Sequence, residues 1–205
     1  MLTRRLLLSS PAVLLPLSAL PLSALPLSAQ AQGVQGPTAF VMQLGDALVA
    51  IINGPGNYED KKRRLTPLID RDVDVDGIAR FCLGRFIRVA TPQQQQDYMR
   101  LFHQVLMTNI FGKLGEFQGV TFRMTTTTQS EEGQVVGTLI QRPNQKANVV
   151  QWVVGDASGT TKVLDVKAEG TSLRLTQRND YTSYLTRNGE NVGALLSAMR
   201  TQLNG

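Results

Sequence analysis

An α+β fold, with an antiparallel sheet of about four to five strands covered by N-terminal and C-terminal helices, is predicted by three observations. Apolar residues as far as Gly119 recur at helical spacing. After Gly119 they give way to β-branched runs separated by turn residues, and near the C-terminus the helical spacing returns. Helices first, strands in succession and helices last is the order expected of helices segregated against an antiparallel sheet.

The elements follow in chain order. "TAFVMQLGDALVAIINGPG" places Phe40, Val41, Leu44, Leu48, Ile51 and Ile52 on one stripe and stops at Asn53-Gly54-Pro55. A weaker helix is expected within 58–69, with Pro67 disturbing its end. "DGIARFCLGRFIRVA" reads as a helix capped by Asp76, apolar on more than one side and so wedged between two surfaces. The clearest helix starts at "ATPQQ", where Thr91 caps, Pro92 suits the first turn and Gln94 completes a capping box. Tyr98, Leu101, Phe102, Val105, Leu106, Ile110 and Leu114 then keep a 3.6-residue period. "VTFRMTTTT", "QVVGTLIQR", "ANVVQWVVGD" and "TKVLDVKAEG" read as strands, with turns at Glu132-Gly133, Arg142-Pro143-Asn144 and Asp156 to Gly159. "TSLRLTQ" reads as a short fifth strand, and helices are expected near 179–187 and 190–203.

The first 31 residues read as a removable export signal. Arg4 and Arg5 precede an apolar run, "LPLSA" occurs three times in tandem over 15–29, and Ala29-x-Ala31 offers a cleavage site. A proline every five residues suits a spanning helix poorly. The route is the general secretory one or, from the partial match of "TRRLLL", the twin-arginine one. Residues 32–205 then form one domain. Without Arg4 and Arg5 the basic side chains fall from 21 to 19 against 16 acidic ones, a net of +3. Such a chain has little reason to meet nucleic acid, while anionic membrane surfaces remain open to it. The basic run Lys61, Lys62, Arg63 and Arg64 reads as a solvated face, or else as a dock for an acidic partner or anionic bilayer. Cys82 is the only cysteine, which excludes an internal disulfide, and Phe81, Leu83 and Phe86 around it suit a buried, inert thiol.

Catalytic and metal-binding patterns are weak. "DRDVDVDG" opens like a calcium loop with Asp72, Asp74, Asp76 and Gly77, but its twelfth position is Leu83, where a bidentate acid is needed. Acids at a helix N-terminus explain the run more simply. His103 is the only histidine, and no strained nucleophile turn accompanies it. One histidine and one cysteine cannot complete a zinc site. Asp165 and Glu169 could form a carboxylate pair, supported only by their proximity. Hence no enzyme, no metal and no cofactor are expected. Apolar stripes of this kind close into a solid core or leave a lipid-sized cavity, and periodicity reads the same for both.

Two segments narrow the choice. "DVDVDGIARFCLGRFIRVATPQQQQDYMRLFHQVL" and "DVKAEGTSLRLTQRNDYTSYLTRNGENVGALLSAMR" together resemble the MlaC family, the periplasmic phospholipid carriers also called toluene-tolerance proteins, with their HpnM relatives. The resemblance runs over about residues 38–203. It implies a strongly curved sheet in an NTF2-like cone with an internal apolar cavity. It also implies a monomeric periplasmic carrier, with phospholipid as cargo. Its partners would be an outer-membrane lipoprotein complex and an inner-membrane ABC transporter with an MCE-domain subunit. By the same resemblance the lipid-binding residues are Val150, Trp152, Leu164, Val166, Leu173 and Leu175 from the sheet, and Phe86, Phe102, Leu106 and Ile110 from the helices. Alternation puts each same-strand pair on one face; the resemblance says which face lines the cavity. Thr161 and Thr171 stand where the family commonly has an aromatic residue and Val, changes that trim apolar bulk and bear on which lipid is carried. A hopanoid carrier of the same build, a small exported NTF2-like enzyme and a solid-core adaptor are the other readings.

Overall fold

The computed structural model describes residues 36–204, so the expected leader at 1–31 lies outside the described residues. The elements run α1 (Pro37–Asn53), α2 (Tyr58–Asp72), α3 (Val75–Leu83), a 3₁₀ turn (Gly84–Arg88), α4 (Pro92–Gly112) and a second 3₁₀ turn (Leu114–Phe117). Strands β1 (Thr121–Ser130), β2 (Gly133–Gln141), β3 (Asn148–Ala157), β4 (Thr160–Ala168) and β5 (Thr171–Ser172) follow, then α5 (Leu173–Arg187) and α6 (Val192–Asn204). The strands form one antiparallel meander in the order β1-β2-β3-β4-β5.

Local chemistry accounts for most boundaries. Thr91 and Gln94 form the reciprocal capping box that starts α4, with Pro92 in its first turn. Asn57 and Asp60 do the same for α2, a cap that the sequence reading did not identify. The Asn53 side chain donates to the Val120 carbonyl (2.8 Å) and accepts from the Gly119 amide (2.8 Å), tying the end of α1 to the start of β1.

Three expectations need correction. Helix α2 does not weaken at Pro67 but continues to Asp72. Proline removes one backbone hydrogen bond, and the burial of Leu65, Leu68 and Ile69 outweighs that loss. The cap of α3 is Asp74 rather than Asp76: Asp74 Oδ1 accepts from the Gly77 amide at 3.1 Å. "TSLRLTQ" is not a strand. Only Thr171 and Ser172 pair with β4, and the Ser172 hydroxyl then caps α5 by accepting from the Leu175 amide at 3.1 Å. Leu-Arg-Leu is too short to separate a two-residue period from a helical one. Burial of Tyr181 and Leu185 farther along decides for the helix.

Two register breaks bend the sheet. In β1, Thr125 and Thr126 oppose the single residue Gly137, where a Cβ would come within 2.5 Å of Thr125 Oγ1. In β4, Leu164 is the extra residue, because Val153 pairs with Asp165 while Val154 pairs with Val163. Beyond the short β5, the free edge of β4 is covered by the α2–α3 link: the Asp74 amide donates to the Val163 carbonyl at 2.9 Å.

Buried apolar residues form two clusters. The larger one unites the helices around Leu83, Phe86, Tyr98, Leu101, Leu185 and Met199. The smaller one is Val41 of α1 against Val136 and Val154 of the sheet.

Candidate functional site

The sheet presents one face to α1. Register and pleat place Phe122 and Met124 of β1, Val136 and Thr138 of β2, and Val150, Trp152 and Val154 of β3 on that face. Val166 lies beside Trp152 in β4. Trp152 is the centre of this layer. Its indole N–H donates to Thr138 Oγ1 at 3.0 Å, and the Thr138 hydroxyl donates to the Val150 carbonyl at 2.9 Å. Thr138 is fully buried, at 0 % exposure, and this chain of bonds satisfies both its hydroxyl and the indole N–H. The indole itself stays half-buried.

Trp152 and Phe40 pack against both buried clusters, so they mark the seam between them. Other apolar side chains bordering one cluster or the other are also only half-buried: Leu48 and Ile52 of α1 and Leu106 and Ile110 of α4 against the larger, Phe122 and Met124 of β1 against the smaller. Gly45 of α1 faces the Phe122 ring so closely that a Cβ would lie 2.3 Å from its Cζ. Helices and sheet therefore border the two clusters with apolar surface that the protein does not fully cover with its own atoms, and Trp152 and Phe40 join the two borders.

The ten residues expected to hold lipid divide into three groups. Val150, Trp152, Val166, Leu106 and Ile110 are half-buried, and the four other than Val150 pack against the larger core. Phe86 and Phe102, at 2 % and 5 % exposure, are closed core, and Phe102 packs edge-on against Tyr181. The remaining three depart from the expected placement. Leu173 and Leu175 stand in the first turn of α5 at 51 % and 47 % exposure, not in the sheet. Leu164 leaves the face of Val166 because of the β4 bulge; a Cβ on Gly155, which points away from Val154, would lie 2.7 Å from Leu164 Cδ1. Thr171 is exposed at the corner before α5, and Thr161 is half-buried near the opposite end of β4.

Phe40, Leu48, Ile52, Phe122, Met124 and Thr138 were not nominated. The alternation Phe122-x-Met124 and the α1 stripe carried a signal for the apolar ones. Thr138 carried none, because a threonine in a strand reads as solvent-facing.

The residues weighed for chemistry are committed elsewhere. Asp72 is buried and pairs with Arg71, two contacts at 2.7 Å. His103 Nε2 lies 2.7 Å from Asp70 Oδ1 at a part-exposed bridge between α4 and α2. Asp165, 3 % exposed, accepts from the Val166 and Arg174 amides at 2.8 and 3.2 Å and lies 3.7 Å from Arg174 Nε. Glu169 is exposed in the turn after it. Burial pushes the Cys82 thiol from 9.0 up to about 12, against the opposing pull of Arg174 and Arg178. The basic run is divided: Lys61 donates to the Ile52 carbonyl, Lys62 lies over the Phe111 ring, Arg63 pairs with Asp60, and Arg64 is exposed.

Among the described residues, no helix is long and apolar enough to cross a membrane.

The MlaC protein family model matches residues 43–201. The chain belongs to the MlaC family. A toluene tolerance protein, Ttg2D of Pseudomonas putida, is 27% identical over 138 residues. That match takes in 66% of this chain and 62% of the relative, so the chain spans less than two thirds of the relative's length. The solved structure of a phospholipid-binding protein from Ralstonia solanacearum, in complex with a phospholipid, superposes with a TM-score of 0.71 at 22% identity. The superposition covers 82% of this chain and 97% of that one, so this MlaC-family chain shares its fold.

Proposed function

We propose that this MlaC-family protein is a non-enzymatic lipid carrier that holds the acyl chains of a phospholipid in the seam around Trp152, with the head group outside. The observation that carries the proposal is the collection of half-buried apolar side chains bordering two otherwise closed clusters, with Trp152 and Phe40 packed against both. A solid core closes such residues off; a carrier leaves them for its cargo to cover. The Ralstonia relative of the same fold, solved with a phospholipid, supports this reading.

Physical chemistry favours a protein sleeve for this task. Each acyl methylene costs about 0.8 kcal/mol in water. Some thirty methylenes of a diacyl lipid therefore amount to roughly 25 kcal/mol, which makes unaided passage through an aqueous compartment negligible. The indole edge is occupied by Thr138, so the seam offers dispersion contacts and little hydrogen bonding. That suits chains rather than a head group. No bond needs to be made or broken.

In the full proposal the protein works in the periplasm after loss of residues 1–31. It passes lipid between an outer-membrane lipoprotein complex and an inner-membrane ABC transporter with an MCE-domain subunit, serving outer-membrane lipid asymmetry.

The test is to purify the protein from its native periplasm, extract it with organic solvent and analyse the extract by mass spectrometry. Stoichiometric phospholipid is expected, reduced by Trp152→Ala and by Leu106→Trp. A hopanoid in its place would redirect the cargo within the same build, and recovery of no lipid would overturn the proposal.

A further inference from the structure

A concavity lies among residues other than those of the seam. Between α2, α4 and α6 runs a cleft of about 710 Å³, within the roughly 300–1,000 Å³ of small-molecule sites. None of the ten residues expected to hold lipid lines it. Its apolar lining comes from Leu101, Met107, Phe111 and Leu203. Each of the three helices adds a cation: Lys62 from α2, Arg100 from α4 and Arg200 from α6. No carboxylate lines it among the described residues.

The cations are positioned as well as gathered. Asp97 lies 3.4 Å from an Arg100 nitrogen and 3.3 Å from an Arg200 nitrogen, so one carboxylate orients both guanidinium groups. A guanidinium has five N–H donors; Arg200 spends one on Asp97, and Arg100 one on Asp97 and one on Gln104 Oε1 at 3.4 Å, which leaves most of them free. Lys62 Nζ lies 5.8 Å from the centroid of the Phe111 ring, which holds its charge over the apolar lining. Of the other ionisable lining residues, Tyr58 brings a neutral phenol and His103 is already paired with Asp70. Apolar side chains below and three oriented cations above match a molecule with an apolar tail and a negative head. A flat bilayer surface would meet the rim and leave the concavity empty.

We propose that this cleft is a second binding site, selective for a single-chain amphiphile with an anionic head, of the alkyl phosphate or fatty carboxylate class. The proposal does not depend on the seam holding lipid.

The experiment is calorimetric titration of the full chain, as purified and after delipidation, with dodecyl phosphate below its micelle concentration. One molecule per chain is expected to bind in both preparations, with dodecanol weaker by about tenfold or more. Lys62→Glu should weaken dodecyl phosphate by about tenfold. Thr108→Trp, which fills the cleft from an exposed position on α4, should do the same without changing charge. Circular dichroism melting curves of both variants should match the wild type. Inorganic phosphate at equal concentration should not displace the probe, since it brings no tail. Equal affinity for dodecanol, displacement by inorganic phosphate, or unchanged binding in both variants overturns the proposal. Loss of binding in Leu106→Trp but not in Thr108→Trp also overturns it, by placing the probe in the seam.

Discussion

Tyr98 and Trp152 are both large, both amphipathic and both hydrogen-bonded through the polar end, yet their surroundings differ. Tyr98 donates to the Ala79 carbonyl at 2.8 Å and has no exposed surface; Phe102 and Tyr181 pack on its ring. Trp152 donates to Thr138, and its ring stays half-open between layers. Around Tyr98, α3, α4 and α5 complete their own core. Around Trp152 the sheet and α1 meet with apolar surface left over. The contrast teaches that apolar content and packing are separate properties: one region is sealed by the chain itself, the other keeps part of its apolar surface open, and on the proposed function something else finishes it. That something is acyl chain.

The largest expected effect is alkaline, and it belongs to the closed region alone. Burial raises the pKa of Cys82 from 9.0 to about 12 and pushes Tyr98 and Tyr181 up as well, with a smaller contribution to Tyr98 from Tyr181. Below pH 9 the thiol is protonated in both folded and unfolded chains, and its contribution is constant. Above pH 9 the unfolded chain releases the proton first, so stability falls until the folded thiol ionises near pH 12. The slope is about 1.4 kcal/mol per pH unit, or roughly 4 kcal/mol over the interval from Cys82. Urea melts at steps from pH 8 to 10 should show the fall beginning near pH 9, and Cys82→Ala should flatten it. An unchanged slope in that variant would remove Cys82 as the cause.

Next in size is a pair of truncations that compares the regions directly. Leu185→Ala should cost about 3 kcal/mol, because a fully enclosed leucine leaves a cavity. Leu106→Ala, at a half-buried site of the proposed lipid lining, should cost less than about 1.5 kcal/mol and instead lower the lipid recovered on extraction. Equal losses of stability with no effect on lipid would mean that the seam is ordinary core.

Gly45→Ala sharpens the same distinction. The new methyl would sit 2.3 Å from the Phe122 ring, so the ring must move. Where it has nowhere to go, overpacking costs about 1–3 kcal/mol. With an open seam beside it the ring can swing inward, and the better helix propensity of alanine offsets much of the strain, about 1 kcal/mol. Stability within about 1 kcal/mol of wild type, with less lipid bound, is the expected result. A loss above about 2 kcal/mol at unchanged lipid content would show Phe122 to be wedged in place.

Much of this architecture was legible because local chemistry carries it. Thr91-Pro92-x-Gln94 announces α4, and Asp156 to Gly159 announces the β3–β4 hairpin, where Ser158 and Gly159 take positive φ in succession. What escaped depends on register or on distance in the chain. The Leu164 bulge exists only relative to β3, so alternation within β4 alone put Leu164 and Val166 on one face. The start of α5 turned on Tyr181 and Leu185 finding the helix core, which Leu-Arg-Leu does not disclose. Phe86 and Phe102 read the same as Leu106 and Ile110 in sequence, because periodicity marks an apolar face without saying whether it is sealed.

The smallest expected effect lies at the corner after β4. Glu169 and Gly170 have φ of 51° and 82°, the paired positive angles of a two-residue type I′ turn joining β4 to β5. Glycine takes such angles freely, but glutamate does not, and the left-handed region costs an ordinary residue about 1–2 kcal/mol. The Glu169 amide donates to the Val149 carbonyl at 3.1 Å, so the corner is held in place despite that strain. Glu169→Asn keeps the amide and suits the first turn position better. It should stabilise the protein by about 0.5–1 kcal/mol, a rise in melting temperature of roughly 1–4 °C. The same variant separates geometry from binding. If the corner only sets the start of α5, lipid recovery stays at the wild-type level while the melting temperature rises. Should stability rise and lipid be lost together, the Glu169 carboxylate contacts the cargo, and the mouth of the seam extends to the turn between β4 and β5.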